Sequence, residues 1–114
     1  MGLFRSKPKR ILAWERKGNL DRLIHALRYD IYDIRILAAE ALGRIGDRSA
    51  IPFLINGLDD EVASVRDACK KSILQIDPSE YHSNIIKEKE SFWSARIKIP
   101  ENSENTRSMF DKES

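Results

Sequence analysis

The residues of this chain with the greatest chemical potential are His25, His82, Cys69 and the arginines Arg35 and Arg66. A structural zinc site needs four closely grouped nitrogen or thiolate ligands, and two distant histidines with one cysteine fall short of it. One cysteine also excludes an internal disulfide. Cys69 has no acid–base partner near it in sequence to hold a thiolate, so it reads as a small buried apolar residue rather than a nucleophile. No Gly-x-Gly-x-x-Gly run, phosphate loop or serine nucleophile elbow is present. The expectation is a chain with no catalytic residue, no metal and no cofactor. Arg35 and Arg66 remain. As functional groups they would bind an acidic partner or a phosphate. As structural groups each would pair with acids of a nearby turn, Asp30 or Asp33 for one and Asp60 or Glu61 for the other.

What decides between those readings is the element that carries Arg35. Ile34, Ala38, Ala41, Leu42 and Ile45 fall at i, i+4, i+7, i+8 and i+11, one face of a helix at 3.6 residues per turn. Gly46 follows where a helix stops in a left-handed residue. Asp47 to Ala50 makes a turn, and Pro52 stands in the first turn of the next helix, where its missing N–H removes no bond. Sliding the chain by the separation of Arg35 and Arg66 places Leu20 on Ile51, Leu23 on Leu54, Ile34 on Val65, Ala38 on Cys69, Ala41 on Ser72 and Leu42 on Ile73. Apolar or small residues meet at every step without a gap. Residues 19–46 and 50–77 are therefore two copies of one unit, a shorter helix followed by a longer one.

Ile34-Arg35, Ala38, Ala41-Leu42-Gly43, Ile45-Gly46-Asp47 and Ala50-Ile51-Pro52, with Leu54-Ile55 and Leu58, resemble the short HEAT-like repeat first associated with phycobilisome (bilin) lyases. The second unit is more degenerate, with Cys69, Ser72 and Leu74 in place of Ala, Ala and Gly. The resemblance implies an all-α superhelix, a HEAT-like solenoid, and it is weak for function because such repeats serve many purposes. It also favours the structural reading of Arg35 and Arg66, since a repeated charge is what a ladder between repeats requires. Some relatives are metal-dependent hydroxylases with His-Glu dipeptides. Here His25 precedes Ala26 and His82 precedes Ser83, so that site is not expected.

Two units alone are marginal, because each buries its apolar face only against a neighbour. The expected organisation is a basic flexible N-terminus at 1–9, a repeat domain at 10–93 and a disordered polar tail at 94–114. Within the domain, caps at 10–17 and 79–93 flank the repeats. Ile11 and Trp14 make the first cap, and Asn19 caps the helix from Leu20. Phe92 and Trp93 would close the other end of the core. In the tail, Arg96-Ile97-Lys98-Ile99 alternates like a short strand and Met109-Phe110 is an isolated apolar pair. The second helix, starting near Tyr32, is apolar nearly all round, which suits a helix at the centre of a stack.

Charge is uneven. Residues 1–17 hold six basic groups against Glu15 alone, residues 18–77 eight basic and ten acidic, residues 78–114 six and seven. Nucleic acid would demand a basic stripe along the repeats, and these are net acidic. No apolar run approaches the roughly 20 residues that span a bilayer, and without a secretory signal the expected compartment is the cytoplasm. Met1-Gly2-Leu3-Phe4-Arg5-Ser6 fits an N-myristoylation pattern, and its basic neighbours would supply the second membrane signal. A membrane role depends on that acylation.

A partner surface follows from the repeat geometry. The second helix of each pair lines the concave side, which puts Ile36, Ala39, Glu40 and Gly43 beside Asp67, Lys70, Lys71 and Leu74. The expected protein partner would meet Ile36, Ala39, Glu40, Asp67, Lys70, Lys71 and Leu74, and the function is a non-catalytic adaptor or scaffold. Two alternatives stand beside it: an accessory factor for bilin attachment, and a peripheral membrane protein held by an acylated N-terminus.

Overall fold

A computed structural model of the chain describes residues 7–97. Gly2, Leu3, Phe4, Ile99 and the Met109-Phe110 pair lie outside the described residues. The chain divides into two compact units, Met1–Ser83 and Asn84–Ser114. Among the described residues six α-helices follow in order: α1 Lys7–Lys17, α2 Leu20–Tyr29, α3 Tyr32–Ile45, α4 Ile51–Gly57, α5 Ala63–Ile76 and α6 Glu80–Ile97. No strand occurs among the described residues.

The helix boundaries have local causes. Asn19 accepts the Arg22 N–H at 3.2 Å and opens α2. Gly46 ends α3 with φ of 78°, and its N–H returns to the Leu42 carbonyl at 3.1 Å. The Asp47 side chain takes the Ser49 N–H at 2.9 Å and sets a single 3-10 turn, Arg48–Ala50, that leads into α4 with Pro52 in its first turn. Asp77 takes the Ser79 N–H in the same way after α5. Helix α1 already includes Lys7, ahead of the expected Arg10.

In the first unit α3 touches α1, α2 and α5, and α4 packs on α5 and α2. This central position explains its weak amphipathicity. Ile34, Ala38, Ala39, Ala41, Leu42 and Gly43 are all buried on one fourteen-residue helix. Ile45, expected on the inward stripe, is only half-buried. Leu23, Leu42, Leu54, Val65, Cys69 and Ile73 are the large fully buried side chains. Each buried leucine or isoleucine contributes about 1.5–3 kcal/mol relative to exposure. Ile11 of α1 is buried as well, and the Arg22 guanidinium lies over the Trp14 ring at 5.8 Å.

Helix α6 corrects two expectations. It runs through Ser94 to Ile97, so these four residues are helix where a disordered tail was expected from Ser94, and the strand-like alternation at Arg96-Ile97 lies on a helix. Four residues are too short a window for period-two patterning when no glycine or proline interrupts the helix before them. Within the second unit Arg96 stands over the rings of Phe92 and Trp93 at 5.6 and 5.7 Å, the i+4 and i+3 neighbours that a helix supplies. Phe92 is 52% exposed and meets Trp93 edge-on, so it does not serve as core.

Candidate partner-binding face

Helices α3 and α5 are the equivalent second helices of the two repeats, and they approach closely because small residues line their contact. Ser72 donates from Oγ to the Ala39 carbonyl at 2.7 Å in a buried setting. A Cβ on Gly43 would stand 2.6 Å from that same Oγ, well inside van der Waals contact. A groove of about 810 Å³ opens above this seam. Ile36, Glu40 and Arg44 edge it at i, i+4 and i+8 of α3, and Asp67, Lys71 and Gln75 edge it at the same spacing on α5. Ala68 and Ser72, both buried, provide its small-residue floor, and exposed Ala63 lies at one end.

The charges along the groove are held from its sides. Arg44 makes a two-pronged pair with Glu15 of α1 at 2.7 and 2.8 Å. The hydrogen bonds from Arg44 hold the Glu15 carboxyl below its usual range, and the same contact raises Arg44. Lys71 pairs with Asp67 at 3.1 Å, one turn back on α5, and both are well exposed. Glu40 is exposed, and its negative charge acts on Arg44 without a direct bond.

Beneath the turns, Arg35 grips the Asp60 carboxylate of the following repeat at 2.9 and 3.0 Å and gives a third hydrogen bond to the Asp30 carbonyl at 2.7 Å. Asp60 also accepts the Val62 N–H at 2.9 Å, so one carboxylate ties the repeats together and shapes the entry to α5. Arg66 donates to the carbonyls of its own turn, Asp60 at 2.7 Å and Glu61 at 3.2 Å. Two further cross-links follow the same plan: Lys7 reaches Asp30 at 3.1 Å, and Arg48 reaches Asp77 at 2.8 Å. His82 stands 3.4 Å from Asp77 and 3.2 Å from the Ser79 hydroxyl. His25 meets the Tyr29 ring at a tilt, away from this group.

Ile36, Glu40, Asp67 and Lys71 come together on the groove. Ala39 does not: it is fully buried under Ser72, because α3 turns that position into the α5 contact. Lys70 and Leu74 are half-buried and stand off the groove. Arg44 and Gln75 join it instead, and i+4 spacing from Glu40 and Lys71 was the available signal. The Cys69 thiol is buried, and loss of water pushes its pKa up to about 12. Burial therefore favours the protonated thiol over the nucleophilic thiolate at neutral pH. Among the described residues no group of His, Cys, Asp and Glu is arranged to hold a metal ion.

The family model for HEAT repeats matches residues 10–74, more than half of the chain. The chain belongs to the HEAT-repeat family. HEAT repeats generally mediate protein–protein interaction and the family is generally non-catalytic. No curated protein and no solved structure matches this HEAT-repeat chain. No helix among its described residues is long and apolar enough to cross a membrane.

Proposed function

We propose that this HEAT-repeat chain is a non-catalytic interaction module, an adaptor or scaffold whose protein partner lies in the α3/α5 groove on the concave side of the repeats. The observation that carries the reading is the groove itself, with an apolar end at Ile36 and Ala63 and both charge signs along its edges. That mixture suits a protein surface, which combines apolar contact with a few polar anchors, better than a phosphate backbone. Ile36 supplies apolar contact, Glu40 takes a cation from the partner, and Asp67 with Lys71 fix its register. Arg35 holds the two helices at the spacing the groove needs.

The test is a pull-down from native lysate with the wild-type chain beside the exchange variant Asp67→Lys/Lys71→Asp. The exchange keeps an i,i+4 ion pair and hence the helix, while reversing the charge pattern that a partner meets. A protein retained by wild type and lost by the exchange variant supports the groove. A protein retained equally by both contradicts it.

A further inference from the structure

A second recognition point lies on the α2/α4 face, away from the groove. Arg28 of α2 is exposed, and its guanidinium rests over the Tyr29 ring at 5.0 Å and the Phe53 ring of α4 at 5.8 Å. Tyr29 is 64% exposed, and the His25 ring meets its ring at a 54° tilt with centroids 4.9 Å apart. The three side chains form a wall shared by two shallow pockets of about 360 and 300 Å³. Leu20 and Ile24 give the larger pocket an apolar floor, and Asn56 and Gly57 line the smaller.

The charge on this wall is unanswered. Arg35, Arg44 and Arg48 of the same unit each bind a carboxylate. Among the described residues no carboxylate pairs with Arg28, whose contacts are the two rings. Asp60, at the rim of the smaller pocket, is committed to Arg35. Asp21 lines the larger pocket from two turns earlier on α2. A guanidinium lying near aromatic rings keeps N–H groups available, and a guanidinium fork receives a carboxylate with two parallel hydrogen bonds. Arginine and tyrosine in such a setting are also the residue types that dominate binding energy at protein interfaces.

We infer that Arg28, beside the rings of Tyr29 and Phe53, is a docking point for an acidic side chain of a protein partner. The carboxylate sits on the guanidinium fork, and an adjacent apolar side chain enters the pocket over Leu20 and Ile24. The inference is independent of the groove between α3 and α5.

The experiment is an NMR titration of the isotope-labelled full chain with the peptide acetyl-Leu-Glu-Leu-amide, with acetyl-Leu-Gln-Leu-amide and inorganic phosphate as separate arms. The glutamate peptide is expected to shift the Arg28 side-chain N–H and the Tyr29 and Phe53 amides in a saturable way. The glutamine peptide should bind about tenfold more weakly or worse, as should the glutamate peptide with Arg28→Gln, the size expected for losing a charge-assisted bidentate contact. Lys87→Glu, on the exposed side of α6, should leave the binding unchanged. Equal response to both peptides, no saturable shift at Arg28, an unaltered Arg28→Gln variant, or a response to phosphate alone would overturn the inference. Arg28 is on the surface, so an unchanged circular dichroism spectrum and melting curve will show that its variant is folded.

Discussion

Replacing Gly43 by alanine sets helix propensity against packing, and the sign of the result tests the α3/α5 seam. In an exposed helix interior the change stabilises by about 1 kcal/mol, because alanine loses less backbone entropy. At Gly43 the new Cβ would stand 2.6 Å from Ser72 Oγ, 2.8 Å from Ser72 Cβ and 2.8 Å from Gln75 Oε1. Gln75 is exposed and can swing away. Ser72 cannot, since its Cβ is fixed to the α5 backbone and its hydroxyl is committed to the Ala39 carbonyl at 2.7 Å. Forcing a methyl into a closed contact costs about 1–3 kcal/mol by itself, and prising the hydroxyl from its acceptor adds roughly another 1. The balance is a net loss of about 1–3 kcal/mol, or a fall in Tm of about 4–8 °C per kcal/mol for a domain of this size. Urea unfolding followed by far-UV circular dichroism gives the number. Ser72→Gly, which removes the opposing Cβ, should recover part of the Gly43→Ala loss in a double-mutant cycle. A Gly43→Ala chain more stable than wild type would mean that α3 and α5 do not meet as described.

Other predictions follow from buried and paired groups. Ala41 is fully buried between helices, so Ala41→Glu leaves an unpaired charge in the core and should abolish the cooperative melt; a retained transition would refute its inward placement. Arg35→Ala removes three hydrogen bonds and leaves Asp60 without its cation, which should cost about 1–3 kcal/mol by urea unfolding. Cys69 should resist a thiol reagent at pH 8 in the folded chain and react fully in urea, since burial pushes its pKa up to about 12. Acid should destabilise the fold. Glu15 is lowered chiefly by hydrogen bonds from Arg44, Asp47 by the Ser49 N–H and Asp77 by Arg48. Asp30 is lowered although burial opposes it, because the Ile31 N–H and Lys7 outweigh that cost. A carboxyl depressed in the folded state adds stability above its unfolded pKa of about 4 and loses it as pH falls through the lower folded value. Tm should therefore be level from pH 7 to 5 and drop below about pH 4, less steeply in Arg48→Ala.

Much of this architecture is legible in the chain because the repeat states it twice. Ile34, Ala38, Ala41 and Leu42 coincide with Val65, Cys69, Ser72 and Ile73, and all eight are buried. Asn19, Gly46 and Pro52 mark their boundaries by mechanisms that act within a few residues. Ala39 misled because a residue beside the inward stripe can face either solvent or the next repeat, and only the helix crossing decides. The serine at 72, which looks like a degenerate alanine, is a deliberate donor to the Ala39 carbonyl. The bidentate Arg35–Asp60 pair corrects the expectation that Arg35 takes the carboxylate of Asp30 or Asp33 in its own turn: spacing gave Asp60 to Arg66, and only the packing of successive repeats brings it to Arg35. The cluster of Arg28, Tyr29 and Phe53 left no periodic signal at all. It forms where α2 and α4 of successive repeats lie side by side, a juxtaposition that exists only in the folded stack.

The central claim is that a protein partner occupies the groove between α3 and α5. Site-specific photo-cross-linking tests it most directly, with a benzophenone side chain placed in turn at Glu40, at Lys71 and, as a control, at Lys17 of α1. The account predicts one adduct of the same mass from Glu40 and Lys71 and none from Lys17. An adduct from Lys17 with none from the two groove positions would contradict it.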